Sequence, residues 1–163
     1  MNKKVVNILI LTGFIVFVLG IGFLSSFFSG PAVKEIFLYL KKPFFAPPAW
    51  IFAPAWTILY VLIGISGFLI WQKKDEKNIK PAIAIFFIQL FLNYIWSIIF
   101  FGNLNYFLAL IDIGLLWVSI LIMMIIFFKI SKPASLILIP YFFWVSFASV
   151  LNYYVWILNP SVL

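Results

Sequence analysis

The segment "VVNILILTGFIVFVLGIGFLSSFF", residues 5–28, contains 24 residues and not one charged side chain. A run of this length is typical of a helix that crosses a membrane, because a span needs about 20 predominantly apolar residues. It also exceeds the roughly 7 to 15 residues of a signal-peptide core. We therefore expect this segment to stay in the protein as its first transmembrane helix.

Four more apolar blocks follow, at residues 47–71, 81–101, 106–128 and 134–158. Of the 163 residues, 66% are hydrophobic and 9% are charged, and the mean hydropathy is +1.22. A soluble domain has about 25% charged residues, and a membrane β-barrel has alternating segments of about ten residues. The sequence predicts an all-α bundle of five transmembrane helices in a single membrane domain, residues 1–163.

The eleven basic residues are all lysines, and their positions predict the orientation in the membrane. Eight lie in the N-terminus and in the connections after the second and fourth spans, on one side of a five-span bundle. The other side has Lys34, Lys41 and Lys42. The positive-inside rule then predicts a cytoplasmic N-terminus. Since topology explains the basic charge, we expect the lipid bilayer as a partner and no nucleic acid.

The chain has no cysteine and no histidine. Disulfides, thiol chemistry and most zinc, copper and haem ligation are therefore excluded. We expect no metal site and no required cofactor. Any catalysis would depend on carboxylates, aromatic side chains or a bound molecule.

The first connection, residues 29–46, is the longest. It contains "VKEIFLYL", residues 33–40, which predicts about two helical turns at the membrane surface with Tyr39 near the headgroups. A long connection over one end of a small bundle is either a lid over a site or a tether without function. The residues alone leave both alternatives open.

Polar residues of the third span share one face. Gln89, Asn93, Ser97 and Phe100 are spaced as neighbours on one side of a helix, with Trp96 beside them. Polar side chains in hydrocarbon need partners, so we expect this face to point into the bundle. It would either form hydrogen bonds between helices or line a ligand cavity.

Asp112 is the acidic residue that lies well inside a span. A charged group there costs about 2.5 to 3.5 kcal/mol on insertion scales. It would be protonated, near an interface or hydrogen-bonded to a neighbouring helix. One carboxylate is weak evidence for acid–base catalysis, and we favour a structural lock over a proton relay.

Prolines and glycines mark the helix starts and contacts. In "KKPFFAPPAWIFAPAWTILY", residues 41–60, we expect the double proline 47–48 to begin the second helix and Pro54 to bend it. Pro140 should bend the fifth helix. Close contact between helices is permitted at four glycines, although no Gly-x-x-x-Gly spacing is present: Gly13, Gly20, Gly64 and Gly67.

Aromatic residues of the second and fifth spans fall on defined helix faces. Trp56 and Tyr60 are one turn apart and share a face, whereas Trp50 lies about 120° round the helix. We expect Trp56 and Tyr60 to face the interior and Trp50 to anchor the interface. In the fifth span Trp144 and Ala148 are likewise one turn apart, which leaves either a packing contact or a slot for a flat ligand.

Three stretches together resemble the TspO/MBR family, the tryptophan-rich sensory proteins related to the mitochondrial translocator protein, or peripheral benzodiazepine receptor. They are residues 41–60, the segment "LNYIWS…FF…ALID" from residue 92, and "LIPYFFWVSFASVLNYYVWILN", residues 138–159. Their order and spacing match the family from about residue 37 to 159. The resemblance implies a five-helix bundle, a homodimer and, for this chain, a multi-pass protein of a bacterial-type cytoplasmic membrane.

The resemblance also implies a pocket, covered by the first loop, for porphyrins, sterols and synthetic aromatic ligands. Trp56 and Trp144 match its two tryptophans and Asn93 matches the amide of the third helix. The other matching positions are Pro47, Tyr60, Trp96, Phe100 and Ala148. Protoporphyrin IX is the expected ligand, and Lys41 and Lys42 would meet its propionate groups.

Three functions follow from the resemblance. The leading one is a membrane receptor for tetrapyrroles, involved in porphyrin transport or stress regulation. The alternatives are light- and oxygen-dependent porphyrin degradation, with Trp56 and Trp144 as catalytic residues, and a transporter of sterols, lipids or porphyrins. Sterol recognition in the mitochondrial relatives is attributed to a basic residue after a tyrosine. That position is Ile157 here, so we rank porphyrin above cholesterol.

Overall fold

Six α-helices form the part of the chain that this computed structural model describes, residues 2–29 and 39–160. They are α1 (Lys3–Phe28), α2 (Phe52–Trp71), α3 (Lys80–Ser97), α4 (Tyr106–Ile130), α5 (Lys132–Leu136) and α6 (Ile139–Leu158). A 3₁₀ turn, Ala49–Ile51, precedes α2, and a π-helical turn, Ile98–Gly102, extends α3. No strand occurs in these described ranges.

Five helical stretches are long and apolar enough to cross a membrane. Their bounds are Lys3–Phe28, Ala49–Trp71, Lys80–Gly102, Tyr106–Ile130 and Lys132–Leu158. The predicted all-α bundle of five spans is therefore confirmed, and the protein is a multi-pass integral membrane protein. The predicted lid and the surface helix at 33–40 fall mostly on residues 30–38, outside the described residues. Tyr39 is described and is 87% exposed.

Side chains in the connections form hydrogen bonds with backbone groups at the helix ends. The Asn2 side chain accepts a hydrogen bond from the backbone N–H of Lys4 and begins α1, and Asn105 does the same for Leu108 and begins α4. At the other end of α4, the Lys77 ammonium donates to the carbonyls of Lys129 and Ile130, at 3.0 Å each. A cation at these carbonyls also complements the helix dipole.

The prolines lie at or near helix ends. The α-helical part of the second span begins at Phe52, so Pro54 is its third residue, and no hydrogen bond of that α-helix is lost there. The bend expected at Pro54 stays a prediction. Near Pro140, which was expected to bend the fifth helix, the helix is interrupted between Leu136 and Ile139. Proline has no N–H for the carbonyl four residues earlier.

Helix α1 lies against α2 and α3, and α4 lies against α3, α5 and α6. The close contact predicted at Gly64 and Gly67 is confirmed, since a Cβ atom on Gly64 would come 2.8 Å from the Cα of Ile15. Gly13 and Gly20 have no atom within 4 Å of a Cβ position, so they form no close contact with the other described helices. Gly22 takes their place, because its Cβ would overlap the ring of Tyr60.

Candidate functional site

Two tryptophans from different helices meet between α2 and α6. The ring centroids of Trp56 and Trp144 are 6.5 Å apart, with the rings at 85°. Trp56 stacks on Tyr60 at 5.5 Å and meets the edge of Tyr141 at 6.4 Å. Such offset and edge-to-face contacts are the favoured aromatic geometries. The Trp56–Tyr60 face therefore points into the bundle, as predicted, and Trp50 is 73% exposed.

A chain of hydrogen bonds runs beneath these rings. The Tyr60 hydroxyl donates to Asn93 Oδ1 at 2.7 Å, and Asn93 Nδ2 donates to the Tyr141 hydroxyl at 3.0 Å. The Tyr141 hydroxyl then donates to Gln89 Oε1 at 2.9 Å, and Gln89 Nε2 donates to the carbonyl of Phe86. Gln89 and Tyr141 are fully buried. The chain links α2, α3 and α6 and so fixes the positions of both tryptophan-bearing helices.

The inward face predicted for the third span is confirmed. Gln89, Asn93 and Phe100 are buried, and Ser97 lies 2.8 Å from the Ser29 hydroxyl on the α1 side. Hydrogen bonding between helices, one of the two alternatives, accounts for Gln89, Asn93 and Ser97.

A cavity of about 420 Å³ opens beside Trp144. Its lining is Pro47, Pro140, Phe143, Trp144 and Phe147. Ligand pockets have volumes of about 300 to 1,000 Å³, but this cavity is a wide-open depression rather than an enclosed pocket. Phe143 is 66% exposed, so the cavity opens towards the outer surface of α6. The lining carries no charged side chain, which suits an apolar molecule.

The indole nitrogen of Trp144 is a polar atom left without a partner. Its Nε1 is buried and forms no hydrogen bond with the described residues. Buried donors are nearly always paired, and an unpaired one calls for an explanation. By contrast, the indoles of Trp96 and Trp117 donate to Asn152 Oδ1 and to the Ser146 hydroxyl.

The residues predicted to bind ligand form three groups. Trp56, Tyr60 and Asn93 lie together under Trp144, as the contacts above show. Pro47 and Trp144 line the cavity. Trp96 and Phe100 form a separate pair, with ring centroids 5.1 Å apart, beside the buried Tyr106. Ala148 is 6% exposed, one turn along α6 from Trp144.

Tyr141 was missed as a member of the site. It precedes Trp144 by three residues and so lies on the same side of α6. A tyrosine hydroxyl in the middle of a span needs a partner inside the protein. This need for a partner could have indicated from the sequence that Tyr141 lies beside Gln89 and Asn93 of the third span.

Asp112 contributes no interaction to this site. It is 7% exposed, and its Oδ2 atom is buried without a hydrogen-bond partner in the described chain. Asp112 was expected to be protonated, near an interface or hydrogen-bonded to a neighbouring helix. The third alternative is not found among the described residues.

Fold and site define a class: a small α-helical membrane bundle of five spans with an apolar cavity beside Trp144 of its fifth span, where that ring meets Trp56 of the second span. The sequence model of the TspO/MBR family matches residues 14–157, and the chain belongs to this family. The resemblance found in the three sequence stretches is thereby confirmed.

Known relatives cover nearly the whole chain. It is 44% identical over 155 residues to the tryptophan-rich protein TspO of Archaeoglobus fulgidus, covering 94% of this chain and 99% of that protein. It is 41% identical over 164 residues to the tryptophan-rich protein TspO of Chlorobaculum tepidum, covering 98% and 100%. The human translocator protein is 34% identical over 120 residues, covering 72% and 70%.

Proposed function

We propose that this chain is a membrane receptor that binds tetrapyrroles and other flat hydrophobic ligands at the apolar cavity beside Trp144. The observation that carries the proposal is Trp144: its ring forms part of an apolar cavity wall, and its buried Nε1 has no partner. A porphyrin offers a wide π surface for the ring. Because Nε1 is buried, it would reach an acceptor atom of the porphyrin only if the indole turned towards the cavity on binding.

The surroundings of Trp144 support the same ligand class. Trp56 contacts Trp144 edge to face. A planar aromatic ligand in the cavity would form ring contacts of the same kind with Trp144. Asn93 is held by Tyr60 and Tyr141 and keeps one N–H group for a polar atom of the ligand. Lys41 and Lys42 would meet the propionate groups from the first connection.

The wider biological role is carried over from the relatives' names, which include "Translocator protein" and "Tryptophan-rich sensory protein". We propose a receptor role in porphyrin transport or stress regulation, in a homodimer within a bacterial-type cytoplasmic membrane and with the N-terminus in the cytoplasm. Sterol transport ranks lower, because Ile157 stands where a basic residue would follow Tyr153 and Tyr154.

Tryptophan quenching by protoporphyrin IX tests the proposal. Purified protein should show saturable quenching, and Trp144→Phe should weaken the affinity by about tenfold, since it loses a donor and part of the stacking surface. Trp56→Phe should also bind more weakly. The matched control is Trp50→Phe, which changes an exposed ring and should bind as wild type does. Absence of quenching, or equal affinity in all four proteins, would refute the proposal.

A second function, light- and oxygen-dependent degradation of the bound porphyrin, is favoured by one observation. Trp56 lies between Trp144 and Tyr60, at 6.5 and 5.5 Å between ring centroids, so oxidisable rings adjoin the cavity. Protoporphyrin IX absorbance under illumination tests it. We expect faster bleaching with wild type than with a Trp56→Phe, Trp144→Phe double variant, and equal rates would exclude a catalytic role.

A further inference from the structure

The last part of the first connection runs along α6 and ends at the cavity. We call residues 40–48 the strap. Phe45 of the strap contacts Tyr154 at 5.3 Å and Phe147 at 6.4 Å between ring centroids. Pro47, two residues later, lines the cavity together with Phe147. The strap therefore forms one wall of the site described above, although it belongs to no helix.

The strap has few hydrogen bonds of its own. Three of its nine residues are prolines, which have no N–H group. Within the strap, the backbone hydrogen bond found is the one from Ala46 to the carbonyl of Pro43, at 3.0 Å. Its position must therefore depend on contacts with the helices, and one of these is the burial of Leu40, which is 8% exposed.

A side chain at the end of α6 forms hydrogen bonds with the start of the strap. Asn159 Oδ1 accepts a hydrogen bond from the backbone N–H of Lys41 at 3.1 Å, and Asn159 Nδ2 donates to the carbonyl of Lys41 at 2.9 Å. Asn159 Nδ2 also donates to the carbonyl of Val155 at 2.7 Å, in the last turn of α6. The Asn159 side chain thus bonds both the N–H and the C=O group of Lys41, as a neighbouring β-strand would, and its third hydrogen bond keeps it attached to α6. We call the two hydrogen bonds to Lys41 the bracket.

We propose that Asn159 is a positioning residue for the ligand site: its bracket on Lys41 holds the strap against α6 and keeps Pro47 at the cavity wall. The inference rests on the proposed function for its ligand, protoporphyrin IX. The hydrogen-bond partners of Asn159 are Lys41 and Val155, and neither lines the cavity, so Asn159 acts through the strap. Loss of the bracket leaves the cavity walls on α6 unchanged but releases the wall formed by the strap.

Two measurements on Asn159→Ala test this role. Hydrogen exchange of the peptide that covers residues 39–47 should become about tenfold faster, because two hydrogen bonds to that backbone are lost. The dissociation rate of protoporphyrin IX, followed by recovery of tryptophan fluorescence, should also rise about tenfold. Asn159→Asp keeps the acceptor for Lys41 but has no donor, so both changes should be intermediate.

The control is Asn103→Ala, which removes an exposed amide in the connection between α3 and α4 and should leave both rates unchanged. If Asn159→Ala leaves the dissociation rate as in wild type, the positioning role is overturned, whether or not exchange of the strap becomes faster. If wild type shows no saturable quenching, the proposed function fails, and the exchange measurement still shows whether the bracket holds the strap.

Discussion

Tyr141 joins three helices through one hydroxyl group. It accepts from Asn93 and donates to Gln89, while Asn93 accepts in turn from Tyr60. In hydrocarbon no water replaces a lost partner, so each member of this chain depends on the others. The hydroxyl of Tyr141 therefore contributes to the stability of the bundle in addition to the packing of its ring.

We expect Tyr141→Phe to lower the free energy of unfolding by about 1 to 2 kcal/mol, because it leaves Gln89 Oε1 and one Asn93 N–H unpaired. Unfolding titrations with sodium dodecyl sulfate would measure the change. Tyr153→Phe is the matched control, since Tyr153 is 46% exposed and its hydroxyl forms no hydrogen bond with the described residues. Equal effects of the two substitutions would show that the hydrogen-bond chain contributes no stability.

The sequence predicted which face of the third span is buried, but it did not predict the partners of that face. Helical spacing places Gln89 and Asn93 on one side because they share a helix. Tyr60 and Tyr141 are 33 and 48 residues away from Asn93, on other helices. Their meeting depends on how α2 and α6 are placed and rotated against α3, which no local pattern contains.

At the level of helices, the contact between α1 and α2 depends on residues without side chains. Gly64 and Gly67 on α2 face Ile15 and Phe14 of α1, and Gly22 on α1 faces the ring of Tyr60. Apolar side chains gain little from meeting each other in lipid, so close approach of the backbones provides much of the attraction between spans. Gly22 also lets α1 support the ring that stacks on Trp56.

We predict that Gly64→Ala destabilises the bundle by about 1 to 3 kcal/mol, because its Cβ would meet backbone atoms of Ile15 that cannot move without shifting α1. Gly13→Ala is the control, because nothing lies within 4 Å of its Cβ position. It should leave stability unchanged or slightly higher, as alanine favours helix. Thermal unfolding in one detergent would compare them. A loss as large in Gly13→Ala would contradict the packing explanation.

The number of spans followed directly from the apolar blocks, whereas irregularities at their ends did not. Residues 47–71 were expected to form one helix, but a 3₁₀ turn occupies Ala49–Ile51. The fifth span is divided before Pro140. Proline guarantees the loss of a hydrogen bond, but whether the helix bends, tightens or stops depends on the packing around it.

At the scale of the whole molecule, lysines gather at one end of the bundle and fasten its connections. Lys77 bonds the end of α4, and Lys73 forms a salt bridge with Glu76 at 2.9 Å. The Lys74 ammonium lies 4.5 Å from the ring centre of Trp71, a cation–π contact that suits a membrane interface. A concentration of lysines at one end is what the positive-inside rule leads us to expect on the cytoplasmic side.

The orientation is open to a direct test, because the chain has no cysteine of its own. Asp75 and Asn103 are exposed and lie in connections at opposite ends of the bundle. With the N-terminus in the cytoplasm, a membrane-impermeant maleimide should label Asn103→Cys in intact cells and Asp75→Cys only after lysis. Labelling of Asp75→Cys alone in intact cells would reverse the proposed orientation. Because lysine placement is its whole basis, exchanging Lys73, Lys74 and Lys77 for glutamine should weaken the labelling difference between the two sites.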